Sequence, residues 1–171
     1  MHKREDAYIL TQQSRWWQRL VKRIGATDGG AWLFSHTIHR IDTPILRLTQ
    51  GRYSLTELLS GLPVVTLTAI GAKSGQPRAV PLVALPNGNG MVLIASSFGR
   101  SRHPAWYYNL RANPQAMLTF DGQTRLYIAR EAEGAEREKY WQLAIERYIG
   151  FAGYQERAGH RRIPVMLLTP V

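Results

Sequence analysis

The sequence predicts an α+β domain in which a mostly antiparallel, strongly bent sheet or small barrel carries helices on its outside. Three observations carry this. Residues 63–70, 78–85 and 91–95 are short apolar runs rich in Val, Leu and Ile and separated by tight turns, as in a meander. Asn87-Gly88-Asn89-Gly90 and Asp121-Gly122 are hairpin signatures, each between two such runs. Helical spacing of apolar residues occurs only before and between these segments.

Taken in order, residues 1–13 are polar and read as a frayed end. From Ser14 an amphipathic helix is expected to about residue 24, with Trp17, Leu20, Val21 and Ile24 on one face and Arg15, Arg19, Lys22 and Arg23 on the rest. Gly25 and Gly29-Gly30 end it. Phe34, Ile38, Ile41, Ile45 and Leu48 mark a second helical region, kinked or restarted at Pro44. Ser54-Leu55-Thr56-Glu57 is a capping box that opens a short helix, which Gly61 and Pro63 stop.

The strand at 63–70 leads through a Gly71 to Gln76 turn into a second at 78–85. Pro81 has no N–H to give a ladder, so this strand has an edge or a bulge there. A buried third strand covers 91–95. His103 or Ser101 is expected to cap the next helix, with Pro104 at its start and Asn113-Pro114 at its end. A hairpin of strands 116–120 and 124–129 follows, then a helix at 135–148 with Tyr140, Leu143, Ala144 and Tyr148 on one face and Glu136, Arg137 and Glu138 in its first turn. Residues 149–162 read as a connector, and 163–169 as a last strand.

The chain has 171 residues, 44% apolar and 20% charged, enough for one packed domain. No apolar run approaches the roughly 20 residues that span a bilayer. Met1-His2-Lys3-Arg4-Glu5-Asp6 leads into no signal-peptide core, so the expected compartment is the cytoplasm. With Trp16 and Trp17, the basic helix at 14–24 also has the pattern of a segment that lies on an anionic membrane surface; the alternative is packing on its own domain. The absence of cysteine excludes disulfides, thiolate catalysis and cysteine-held metal. A net charge of +10 suits a polyanionic partner. Nucleic acid is not favoured, because nothing beyond charge supports it.

Two polar, basic connectors leaving apolar strands hold the chemistry. Gly71-Ala72-Lys73-Ser74-Gly75 is not a Walker loop, since its lysine precedes the glycine and a strand follows, and it is no dinucleotide fingerprint. Lys73, Ser74 and Arg78 nonetheless project donors from one hairpin. Arg100 and Arg102 add charge from the second connector, which runs into a helix opened by proline. Such a set holds phosphate or carboxylate groups, or else is a solvated basic turn. No serine–histidine–acid constellation is visible, and paired carboxylates are absent from the strands, which argues against acid–base hydrolysis. His36 and His39 share a helical spacing but lack a third ligand, so no metal site is expected. Trp106, Tyr107 and Tyr108 either stack on a planar ring or pack a helix face. Tyr148, Phe151 and Tyr154 either line a pocket or belong to the core.

These residues also carry a likeness. The run from Thr66 to Arg78, with Pro81-Leu82, resembles the opening motif of the deazaflavin-dependent nitroreductase family. Arg102-His103-Pro104-Ala105-Trp106-Tyr107-Tyr108-Asn109-Leu110-Arg111-Ala112-Asn113-Pro114 resembles its second motif, and Arg162-Ile163-Pro164-Val165 fits its end. The likeness spans roughly residues 30–171, leaving 1–29 as a basic amphipathic extension. It implies a split β-barrel related to FMN-binding proteins, and binding of coenzyme F420, a deazaflavin with a phosphate and an oligoglutamate tail.

By position, the resemblance implies Lys73 and Arg78 on the anionic tail, with Ser74, Gly75 and Pro81 beside them. It implies Ser96, Ser97 and the following loop, with Arg100 and Arg102, on the deazaflavin or its phosphate. Trp106 and Asn109 complete the cofactor groove, and Tyr148, Phe151 and Tyr154 lie on the substrate side. The implied activity is hydride transfer from reduced deazaflavin to a small electrophile (a quinone, an enone or a nitro compound), with Tyr154 or Tyr148 as the proton or hydrogen-bond donor. Ser97 stands where nitroimidazole-reducing relatives carry lysine, and Phe151 where they carry tyrosine; both bear against nitroimidazole reduction. Two alternatives use the same barrel: a non-catalytic binder of lipid or fatty acid, and a member holding FMN or haem. The chain is expected as a monomer or homodimer.

Overall fold

A computed structural model describes residues 62–148 and 150–171. The helices expected at 14–24, 34–48 and 54–59, the boundary between 29 and 30 and the His36/His39 pair lie outside these residues.

Six strands, β1 (Val64–Ile70), β2 (Pro77–Asn87), β3 (Gly90–Ile94), β4 (Gln115–Phe120), β5 (Gln123–Glu131) and β6 (Val165–Pro170), close into an antiparallel barrel in the order β1-β2-β3-β6-β5-β4. Among the described residues three α-helices flank it: α1 (Ala105–Ala112), α2 (Gly134–Arg147) and α3 (Gly150–Ala158). The expected α+β class, an antiparallel barrel with outer helices, is the one observed.

Side-chain alternation explains the two layers of the core. Val65, Leu67 and Ala69 of β1, Met91 and Leu93 of β3, Ala116 and Leu118 of β4, Tyr127 and Ala129 of β5, and Met166 and Leu168 of β6 fill the barrel. β3 and β6 are apolar on the other face too. Their Val92, Ile94, Val165 and Leu167 pack under α2 and α3, with Tyr140, Trp141, Ala144, Phe151 and Tyr154. Each fully buried leucine in these layers contributes roughly 1.5–3 kcal/mol. The outer face of β4 and β5 is bare by comparison, leaving Met117, Leu126 and Ile128 exposed.

Both hairpins form as expected. Phe120 pairs with Gln123 across Asp121-Gly122, whose φ values of 49° and 74° are those of a two-residue turn twisted to match its strands. Asn87 pairs with Gly90. At Pro81 the register of β1 with β2 runs unbroken from Val64↔Val83 to Ile70↔Pro77, so there is no bulge. Among the described residues there is an edge instead: β2 pairs with β3 only from Ala84 to Asn87. The N–H of Ala84 points to β1, donating to Pro63 O at 2.9 Å, so by alternation position 81 faces the open side. A proline there leaves no donor unsatisfied.

Three expectations are corrected. Residues 149–162 are not an irregular connector, because 150–158 form α3. Phe151, Tyr154 and Ala158 recur at helical spacing and are buried, and their packing overrides the low helix propensity of Gly150 and Gly153. The last strand starts at Val165 rather than Ile163. Neither His103 nor Ser101 caps α1. Pro104 holds the cap position, where its side chain has no atom to bond the helix N–H groups, and His103 is engaged with Arg161. Arg137 is in the first turn of α2 as expected, and it is buried, with Nη2 donating to Ile163 O at 3.1 Å and its guanidinium 5.0 Å above the Trp141 ring.

Candidate cofactor site

The barrel ladder divides beyond the Ala84↔Leu93 pair. On one side β2 runs back along β1 to the turn at 71–76. On the other, the chain leaves β3 through residues 95–103 into α1. The two basic connectors thus start from the two sides of the same opening. Val80 and Leu82 pack on the barrel cluster but are only partly buried along this unpaired stretch.

The 71–76 turn is closed by its own backbone. Gly71 N donates to Gln76 O at 2.9 Å and Gly75 N to Gly71 O at 2.8 Å, with Gly75 at φ 64°. A methyl at Gly71 would meet Ser74 Oγ at 2.5 Å and Arg78 Cγ at 3.5 Å, so the Arg78 stem lies against the turn that carries Lys73. Lys73, Ser74, Gly75 and Arg78 are exposed, and Pro81 is half-buried. Asn109 ties this turn to α1: Ala72 N donates to Asn109 Oδ1 at 3.0 Å, across 37 positions. Asn109 lies four residues beyond Ala105, about 6 Å along the helix axis. The bond sets the middle of α1 against the cationic turn. No side chain caps the first turn of α1 and no acid lies in it.

The second connector is held in an unusual shape. Ser97, Phe98 and Gly99 have φ of 50°, 55° and 79°, all left-handed, and only the last is glycine. A Cβ at Gly99 would sit 2.7 Å from both Arg157 Cβ and Tyr154 O, so this turn is seated on α3. Arg161, just beyond α3, reaches across it. Its Nη2 donates to Ser96 O at 2.7 Å, Nε to Arg100 O at 2.8 Å, and Nη1 to His103 Nδ1 at 3.0 Å and Ala95 O at 3.4 Å. Because arginine only donates, His103 accepts through an unprotonated Nδ1. Burial lowers the His103 pKa, the Arg161 and Arg111 charges lower it further, and Glu131 opposes them. The His103 ring lies 4.8 Å from that of Tyr107, whose hydroxyl donates to Glu131 Oε2 at 2.8 Å. Arg100 and Arg102 are exposed, and Ser96 and Ser97 half-buried.

The aromatic series joins this connector. Phe98 contacts Tyr154 edge-on at 5.7 Å, and Tyr148, Phe151 and Tyr154 stand 5.4–6.1 Å from one another. The Tyr148 and Tyr154 hydroxyls are 3.2 Å apart. Burial raises both pKa values, that of Tyr154 the more, so both phenols hold their protons. Phe151 and Tyr154 are buried and Tyr148 is partly open. Trp106 sits in the barrel cluster at 7% exposure. Among the described residues no group of three or more histidines or acids could hold a metal.

The model of the family described as F420H(2)-dependent quinone reductase matches residues 38–170. The chain belongs to this family. An F420H(2)-dependent quinone reductase of Mycobacterium tuberculosis strain H37Rv is 30% identical over 148 residues, covering 83% of this chain and 98% of that protein. A solved F420-H2 dependent reductase, FDR-A, is 40% identical with a TM-score of 0.58, over 63% of this chain and 94% of that one. A structure described as a domain-swapped dimer is 35% identical with a TM-score of 0.59, over 83% of this chain and all of that one. The family is one of oxidoreductases dependent on F420H2, acting on a small-molecule electron acceptor. No helix among the described residues is long and apolar enough to cross a membrane.

The sequence reading missed Arg161, Phe98 and the role of His103. Their partners lie on distant segments, and no local pattern marks them.

Proposed function

We propose that this chain is an F420H2-dependent quinone reductase whose cofactor lies along the open edge of β2. The observation that carries the reading is the Asn109–Ala72 bond, which draws the two motif segments to one opening of the barrel. The residues there suit the group. Lys73 and Arg78, with Ser74 and Gly75 in the same turn, would hold the oligoglutamate tail. Arg100 and Arg102, with Ser96 and Ser97, would hold the phosphate and ring edge. Asn109 keeps the two sets in register, and Pro81 leaves the strand edge without a competing donor. Trp106 supports the groove from within the barrel.

When bound, the reduced deazaflavin supplies a hydride, which with one proton converts a quinone to a hydroquinone. The chain itself binds and orients, excludes water behind the Phe98–Tyr154 contact, and supplies a hydrogen-bond donor. Tyr148 is the more open member of the hydroxyl pair and donates to the acceptor oxygen; Tyr154 backs it. The basic surface serves this polyanionic cofactor rather than nucleic acid. We take the homodimer as the assembly to test by light scattering.

Titration with oxidised F420, followed by its fluorescence, tests the site. Saturable quenching is expected, weakened about tenfold by Lys73→Ala or Arg78→Ala, as suits loss of one charge-assisted contact. Absence of binding at low salt would overturn the reading.

A further inference from the structure

Arg161 lies outside both motif segments and outside every residue assigned above to cofactor or acceptor. Its guanidinium is spent on the second connector: the carbonyls of Ala95, Ser96 and Arg100 and the imidazole of His103 all accept from it. The connector needs an outside support. Non-glycine residues in left-handed conformations are strained and persist only where surroundings over-determine them, and here two stand in succession. The arrangement also has an electrostatic consequence. Carbonyls turned to Arg161 are turned away from an anion, which they would repel.

We propose that Arg161 is the positioning residue of the cofactor-binding connector, and that His103, as its imidazole acceptor, makes that connector sensitive to pH. The proposal rests on the F420 reading of the site. The groups facing His103 are Arg161, Arg111, Glu131, Tyr107 and Tyr108. Protonation removes the Nδ1 acceptor and sets a second cation 3.0 Å from Nη1 of Arg161. The folded form thus disfavours the proton. The connector is intact above the ordinary histidine value of 6.5 and loosens as pH falls through the lowered value.

The full chain is titrated with oxidised F420 between about pH 8 and pH 5.5 as wild type, Arg161→Ala, Arg161→Lys and His103→Gln. Hydrogen exchange of residues 96–103 is followed without cofactor at one pH. Arg161→Ala is expected to weaken binding about tenfold or more and to speed exchange across the connector. Arg161→Lys should recover little, because an ammonium lacks the planar fork. His103→Gln keeps an acceptor that does not titrate. It should lose less affinity than wild type on acidification, a comparison in which titration of the cofactor phosphate cancels. Wild-type affinity and exchange in Arg161→Ala, or coincident pH profiles for wild type and His103→Gln, would overturn the proposal. If Arg161→Ala does not fold, the two profiles alone decide. If wild type does not bind F420, the cofactor reading fails, and the exchange rates by themselves uphold or refute the positioning role.

Discussion

At the scale of single residues, the site depends on backbone shape as much as on charge. Gly99 shows this. Its φ of 79° is open to glycine, and the place where a Cβ would go is already occupied by Arg157 Cβ and Tyr154 O. Gly99→Ala should therefore cost about 1–3 kcal/mol, read as a lower midpoint in urea, and should weaken F420 binding although no cofactor contact is removed. An unchanged midpoint would mean that the turn does not press on α3. Legibility divides along the same line. Lys73, Arg78, Arg100 and Arg102 are readable as exposed cations because their neighbours in sequence already make a turn. Arg161 is not, because its partner Ser96 lies 65 positions away and nothing local distinguishes it from the adjacent Arg162.

At the scale of elements, the meander, both hairpins and the helix at Pro104 are legible because their signals are local: turn dipeptides with positive φ, a proline at a helix start, and alternating apolar residues. α3 was hidden by its two glycines and by the short spacing of its aromatic residues, which become a helix face only when α2 and the connector pack on them. Which strand borders which is another matter of the whole barrel. The link between the two motif elements rests on one side chain. Asn109→Ala removes the acceptor of Ala72 N, a loss of about 1 kcal/mol at a partly exposed position. The expected result is a nearly unchanged melting temperature but faster exchange at residues 71–76 and weaker cofactor binding. Loss of folding would instead show that α1 is held by this bond rather than by Trp106 and Leu110.

At the scale of the molecule, the net charge of +10 and the exposed cations around one opening make association with a polyanion dependent on ionic strength. Raising salt from about 0.05 to 0.5 M should weaken F420 binding about tenfold or more, while the Michaelis constant for an uncharged quinone stays within about twofold. A cofactor affinity indifferent to salt would mean that the ring, not the tail, supplies the binding energy. The two-layered core gives this charged surface its rigid support. β3 and β6 are buried on both faces, so Leu93 or Leu168 cut to alanine should destabilise the chain by about 2–5 kcal/mol, far more than any change on the cationic turn.

The place of β6 has a consequence for synthesis. It is the last of the described strands to leave the ribosome, yet it lies between β3 and β5 and pairs with both. Until it emerges, those two strands hold open edges, the kind of surface that invites pairing with other chains. Arg161 precedes β6 by only a few residues. The seam of the barrel and the clamp on the connector are thus supplied by one stretch, residues 161–170, and a nascent chain gains a closed core and an ordered connector in the same step.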